Sequence, residues 1–231
     1  MSLRRLALLA ALTILSSSAV ARAQFGIDMI QKSPIGNLYH PVVGSGEVYE
    51  TTDRKGEKTT LEMSILAKDS VDGRTAYWLE IGHIDKRMSN TMMYGKSLIT
   101  FDDMQTHRAI YMMPGSDRPS EMEMHPSPHA KTKEHGKSEM EKWHSVGTES
   151  IAVPAGTFSC EHWTKDGGEK GDVWISSKVS PMGIVKSVER AETMVLTKVI
   201  TNAKDHITGT PMKMDAKAMR EQKVKQMQNH K

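Results

Sequence analysis

The chain has 231 residues, of which 38% are hydrophobic and 26% are charged, a composition typical of one globular domain of moderate size. It has a single cysteine, so internal disulfide bonds are excluded and stability must come from burial and strand pairing. The formal net charge of +3 belongs entirely to residues 1–23. That segment contains three of the 31 Lys and Arg residues, and the remaining 28 equal the 28 Asp and Glu residues. This balance of charge argues against a nucleic-acid partner.

Residues 1–23 have the three parts of a secretory signal peptide. Arg4 and Arg5 precede an apolar run over residues 6–15, and small residues end in Ala21-Arg22-Ala23, which predicts cleavage before Gln24. A cut two residues earlier, after Ala21, is the alternative. The apolar run is about half of the ~20 residues that a membrane-spanning helix needs, and no cysteine near either cut could carry a lipid. We therefore expect a periplasmic protein that is not lipid-anchored.

After the leader, the predicted elements are mostly strands. A short amphipathic helix is predicted over residues 24–32, and from Gly46 the hydrophobic period changes to two. Leu61, Met63, Ile65 and Ala67 alternate with polar residues, and the turn Asp72-Gly73 joins this run to β-forming residues 75–81, which predicts a hairpin. Further strands are predicted at 97–101, 107–112, 145–153, 157–164, 172–176, 183–191 and 194–202. The pattern favours one large antiparallel sheet that curves or closes.

Two segments depart from the strand pattern. Residues 112–144 contain no Val, Ile, Leu or Phe but four prolines, so we expect a long mobile loop at residues 114–142. Residues 215–231 begin with a helix cap in Asp215 and have a thin apolar stripe, which predicts a basic C-terminal helix or tail.

Motifs for catalysis are missing from the sequence. It has no G-x-S-x-G elbow, no H-E-x-x-H zinc motif and no phosphate-binding glycine loop, so we expect a non-enzymatic protein without a cofactor. Cys160-Glu161-His162 places two metal-ligand types on one face of a strand, a weak signal by itself. Cys160 is predicted to be a free, buried thiol.

Methionine is unusually frequent, with 18 residues against three Phe. Its flexible, polarizable side chain fills irregular cores and also lines adaptable binding surfaces. The count alone leaves both roles open.

Three stretches carry a family resemblance. Residues 151–160 (IAVPAGTFSC), 173–176 (VWIS) and 181–186 (PMGIVK) resemble a pattern of exported proteins that are similar to the lipoprotein carriers of the LolA and LolB type. The resemblance covers mainly residues 146–188. It implies a mostly β domain with minor α over residues 24–214: a single antiparallel sheet curved into an unclosed half-barrel, with short N- and C-terminal helices and an apolar concavity for acyl chains.

The resulting functional hypothesis is a periplasmic, non-enzymatic binding protein for a hydrophobic ligand, either a lipid or the acyl chain of a lipoprotein. Transient contact with a membrane surface would accompany this role. The predicted apolar wall comes from the first hairpin and the second half of the chain, and its residues are Leu61, Met63, Ile65, Tyr77, Leu79, Ile81, Val173, Ile175, Ile184 and Val188. The alternative role of each is ordinary core packing.

Two other classes stay open at this point. Thioether and imidazole ligands suit Cu(I), so the Met- and His-bearing segment predicts a copper or silver site built from Met112, Met113, Met122, Met124, His125 and His129. Ordering such a segment costs about 1–2 kcal/mol per residue fixed. The third class is an envelope structural or interaction module whose sheet packs shut and takes no small ligand.

Overall fold

The computed structural model describes residues 40–84, 91–112, 116–123, 143–165 and 171–213. The regular structure in these ranges consists of twelve strands: β1 (Gly46–Asp53), β2 (Lys58–Val71), β3 (Arg74–Ile84), β4 (Met92–Thr100), β5 (Gln105–Tyr111), β6 (Ser120–Glu123), β7 (Trp143–Val153), β8 (Gly156–Lys165), β9 (Gly171–Ile175), β10 (Ile184–Glu189), β11 (Glu192–Ile200) and β12 (Met212–Lys213). The leader and both predicted terminal helices lie outside the described residues.

All twelve strands belong to one sheet in the order β12-β6-β5-β4-β3-β2-β1-β11-β10-β9-β8-β7. Neighbours pair antiparallel, except for the short β12, which runs parallel to β6. The outermost strands β12 and β7 are the two edges, so the sheet is not closed. The prediction of one large, open, antiparallel sheet is confirmed for this part of the chain. None of the described residues forms a helix that is long and apolar enough to cross a membrane.

The first hairpin has the predicted turn. Asp72 and Gly73 have φ values of 50° and 76°, the left-handed conformation that a two-residue hairpin turn requires. Met63 lies opposite Ile81, and Ile65 lies opposite Leu79. A bulge at Leu66 then moves Ala67 opposite Trp78. Because the extra residue reverses the alternation, Ala67 points to the other face of the sheet, and its predicted place beside Met63 and Ile65 is wrong.

The core lies on the face of the sheet that carries Tyr49, Met63 and Leu196, which we call the inner face. Its cover is formed partly by the β7–β8 hairpin, which folds back over the sheet. At the tip of this hairpin, the Ala155 N–H donates to the Leu196 carbonyl of β11 (3.4 Å). Phe158 packs against the buried cluster.

The rest of the cover is the covering segment, residues 176–183, between β9 and β10. Its side chains Val179 and Met182 are buried in the same cluster as Tyr49 and Leu196. The inner face is therefore closed off by the tip of the β7–β8 hairpin and by the covering segment.

The opposite face, the outer face, is crossed by the chain after β11. His206 Nδ1 lies 2.7 Å from Glu80 Oε1, and the His206 ring stacks on Tyr94 at a centroid distance of 3.9 Å. Lys96 pairs with Asp205 of the same crossing segment. These contacts lead the chain to β12 at the edge of the sheet.

β6 lies inside the segment that was predicted to be a continuous loop, so that prediction is wrong for residues 120–123. This strand has no branched aliphatic residue, and pairing with β5 and β12 holds it in place instead. Glu121 is buried, and Arg108 of β5 donates from Nε to its carboxylate (2.6 Å). Residues 113–115 and 124–142 lie outside the described residues.

Candidate functional site

The predicted wall residues occupy the inner face, with one exception. Met63, Ile65, Leu79 and Ile81 belong to the buried cluster, whereas Leu61, Tyr77 and Ile184 pack against it. Val173 and Ile175 are buried on the same face. Ligand contact by these nine residues stays a prediction.

Val188 does not share that face. It lies opposite Asp172, whereas its neighbour Ser187 lies opposite Val173. A bulge at Val185 lets Ile184 face inward beside Ile175 and turns Val188 to the outer face. The prediction of Val188 as part of the same wall is therefore wrong.

A pocket of about 360 Å³ lies at the seam between the β7–β8 hairpin and the covering segment. Its apolar lining residues include Cys160, Ile175 and Val179, and its polar ones include Ser159 and Ser176. Ile175 is the one predicted wall residue among those that line it. Small-molecule sites have volumes of about 300–1,000 Å³, so this pocket lies at the lower end of that range.

The covering segment is tied to the first described residues through Ser180. The Ser180 hydroxyl donates to the His40 carbonyl (2.6 Å) and lies 2.7 Å from the hydroxyl of Ser45. The chain turns at Pro181-Met182-Gly183, with Gly183 at a φ of 73°. The Ser176 N–H donates to the Gly183 carbonyl (2.8 Å), which closes the segment into a loop.

Glu47 is the unexpected member of the inner face. It is 0% exposed in β1, opposite Met63, and the Met182 N–H of the covering segment donates to its Oε1 (3.0 Å). Its Oε2 has no hydrogen-bond partner among the described residues. Burial raises the pKa of this carboxyl to about 8, an effect that the Met182 N–H and the Tyr49 hydroxyl only partly offset. Glu47 is therefore mostly protonated at neutral pH.

Sequence reasoning missed Glu47, although a signal was present. Glu47, Tyr49 and Thr51 share one face of β1, and all three are buried. The aromatic residue two positions along the strand indicates that Glu47 points inward.

Cys160 is a free, buried thiol, as predicted. Burial raises its pKa, and the negative charge of Glu149 raises it further. Because the thiolate is the reactive form, the thiol in the pocket wall is a poor nucleophile at neutral pH.

His162 joins three strands through its side chain. Its Nδ1 lies 2.9 Å from Glu149 of β7, and its Nε2 lies 2.9 Å from Asp172 of β9. Trp174 stacks on the imidazole at 4.4 Å, and the Lys186 ammonium lies 5.0 Å from the centre of the Trp174 ring. Both imidazole nitrogens thus have carboxylate partners. In the part of the chain that the structure describes, no group of three or more His, Cys, Asp and Glu side chains is placed to hold a metal ion.

The predicted copper or silver site falls mostly outside the described residues, which exclude Met113, Met124, His125 and His129. Met112 follows the end of β5, and Met122 lies in β6 opposite Ala109. The metal alternative stays a prediction.

No protein-family model and no curated protein matches the chain. Among solved structures, a proposed lipoprotein from Parabacteroides distasonis is 15% identical, with 70% of this chain and 97% of that chain covered and a TM-score of 0.37. A proposed exported protein with a YmcC-like fold from Bacteroides fragilis is 12% identical, with 70% and 98% covered and a TM-score of 0.35. MucB in the MucA/MucB complex of Pseudomonas aeruginosa is 11% identical, with 72% and 55% covered and a TM-score of 0.43. At these identities and TM-scores below 0.5, the likenesses identify neither a family nor a ligand.

Proposed function

We propose that this protein is a non-enzymatic, periplasmic binding protein that takes a hydrophobic ligand, a lipid or the acyl chain of a lipoprotein, onto the inner face of its sheet. The main support is how that face is covered. An unclosed sheet has its apolar face hidden by the tip of the β7–β8 hairpin and by residues 176–183, and a pocket of about 360 Å³ lies at their seam.

A cover of this kind can move without disrupting the sheet. The covering segment lies outside the strand ladder, and its links to the first described residues are those through Ser180 and one bond from the His40 N–H to the Pro181 carbonyl (3.3 Å). The bond from Ala155 to Leu196 ties the hairpin tip to β11. Ligand entry would replace contacts of the cover with contacts of an acyl chain.

The energetics favour broad selectivity among apolar chains. Burial of apolar surface contributes about 25 cal/mol per Å², less the cost of ordering the ligand and the cover. Met63, Met182 and Met194 are buried on this side of the sheet, and thioether side chains adapt to ligands of irregular shape. Since the described interior is packed, molecules whose cover is closed cannot bind a ligand. The apparent affinity is therefore lower than the intrinsic affinity, in proportion to the fraction of molecules whose cover is open.

A pair of exposed residues on β8 permits a matched test. Ser159 lines the pocket, whereas Thr157, two residues earlier on the same face of the strand, does not. Ser159→Trp should fill the pocket and weaken the binding of an uncharged fluorescent acyl probe by at least about tenfold, whereas Thr157→Trp should bind like the wild type. Circular dichroism would check that both variants fold.

Two results would overturn the proposal. Absence of saturable probe binding to the wild type would favour an envelope interaction module with a closed sheet. Equal binding by the wild type and both variants would show that the probe does not use this pocket.

A further inference from the structure

We propose that Glu47 is the polar anchor of this binding site and that it selects ligands with an uncharged hydrogen-bond acceptor, such as an ester carbonyl, beside their apolar chain. This inference rests on the proposed function, because a ligand must reach the inner face to meet Glu47.

The carboxyl group of Glu47 is placed among apolar side chains. Glu47 lies between Met63 of β2 and Val199 of β11, so its neighbours in the ladder on both sides are apolar. The side chain is fully buried, and Oε2 has no partner among the described residues. An unsatisfied buried polar group destabilises the fold, and a ligand that bonds to this oxygen would remove that penalty.

Glu47 is linked to the pocket through the covering segment. The Met182 N–H that holds Oε1 belongs to the covering segment. Val179 and Gly183, on either side of Met182 in the chain, line the pocket. Movement of the covering segment would therefore release Oε1 and expose the carboxyl group to a ligand that enters through the pocket.

The charges around the inner face favour an uncharged ligand. The buried side chains of the described residues include no Lys, Arg or His. An anionic head group on the inner face would meet no buried cation, and desolvation without a partner strongly disfavours it. Because burial raises the pKa of Glu47 to about 8, its carboxyl group at neutral pH carries a proton that it can donate to a carbonyl oxygen. An uncharged acyl ester fits this chemistry better than a fatty-acid anion.

The test compares monomyristoyl glycerol with myristate, two ligands with the same acyl chain, by displacement of the uncharged probe. We expect the ester to bind the wild type at least about tenfold more tightly than the acid at pH 6.5. Raising the pH to 9 should weaken ester binding about tenfold, because Glu47 is then mostly ionised and has no proton to donate.

Variants separate the anchor from the apolar site. Glu47→Gln, whose amide donates without titrating, should bind the ester equally well at pH 6.5 and pH 9. Glu47→Leu, which has no donor, should bind the ester about tenfold more weakly than the wild type at pH 6.5, with no further loss at pH 9. Glu50→Gln is the matched control on the same strand, because Glu50 is exposed and pairs with Lys58; it should behave like the wild type. Ester binding to Glu47→Leu that is as tight as to the wild type, and that changes with pH in the same way, would overturn the role of Glu47 but leave the proposed function standing. No saturable binding by either ligand would overturn both.

Discussion

Glu47→Gln is expected to change how the stability of the fold depends on pH. In the unfolded chain, the carboxyl group titrates near 4.5, whereas burial raises its pKa in the fold to about 8. Between these pH values, the folded state holds one proton more than the unfolded state. The free energy of unfolding therefore falls as the pH rises, by about 1.36 kcal/mol per pH unit from this group.

The magnitude follows from the two pKa values. The stabilising contribution of the protonated group is complete below about pH 4.5 and is lost as the pH rises to about 8, for a total of about 5 kcal/mol. Gln does not titrate, so the stability of Glu47→Gln relative to the wild type should rise by about 4 kcal/mol between pH 5 and pH 9. The raised pKa of Glu80 and the lowered pKa of Asp103 act in both proteins and cancel in this difference.

Urea denaturation of both proteins at pH 5, 7 and 9 measures this difference, with Glu50→Gln as the exposed control on the same strand. The control should follow the wild type to within about 1 kcal/mol at each pH, since it loses only a surface ion pair. Parallel stability curves for wild type and Glu47→Gln would refute the reasoning that burial keeps Glu47 protonated.

Three further predictions concern the core, a close contact and the leader. Cys160→Ser should lower the free energy of unfolding by about 1–3 kcal/mol, because its hydroxyl would be buried in an apolar cluster; rapid labelling of the native thiol would contradict this burial. Gly82→Ala should lower the free energy of unfolding, measured by urea titration, by about 1–3 kcal/mol, because its methyl group would lie 2.5 Å from the Tyr94 ring. The control is Gly95→Ala, whose methyl group would have its nearest atom at 3.9 Å; it should change the free energy of unfolding by less than about 1 kcal/mol. N-terminal sequencing of the exported protein should begin at Gln24, and a retained leader on a cytoplasmic product would contradict the assignment to the periplasm.

The sequence predicts the strands well where turn residues and the alternation of apolar and polar side chains determine them. The turn Asp72-Gly73 and the alternation through Met63 and Ile65 define the register of the first hairpin. The misplaced residues, Ala67 and Val188, both follow a bulge. A bulge adds one backbone residue where the sheet bends, and the period of the side chains does not reveal it.

The site is predicted less completely because its parts meet only in the folded chain. The sequence indicates that Cys160 is buried and which residues form the inner face, but the pocket also needs the covering segment and His40. Glu47 was missed because an acidic residue in an alternating strand usually faces solvent. β6 was missed because its stability comes from distant pairing partners and the contact between Arg108 and Glu121.

Native mass spectrometry of the protein purified from the bacterial envelope, followed by organic extraction, tests the binding hypothesis most directly. We expect a bound fraction whose extra mass equals that of one co-purified lipid or acyl species, with that species recovered in stoichiometric amount in the extract. Ser159→Trp should reduce the bound fraction, and Thr157→Trp should retain it. A ligand-free wild-type protein that also fails to take up added acyl esters would contradict the account.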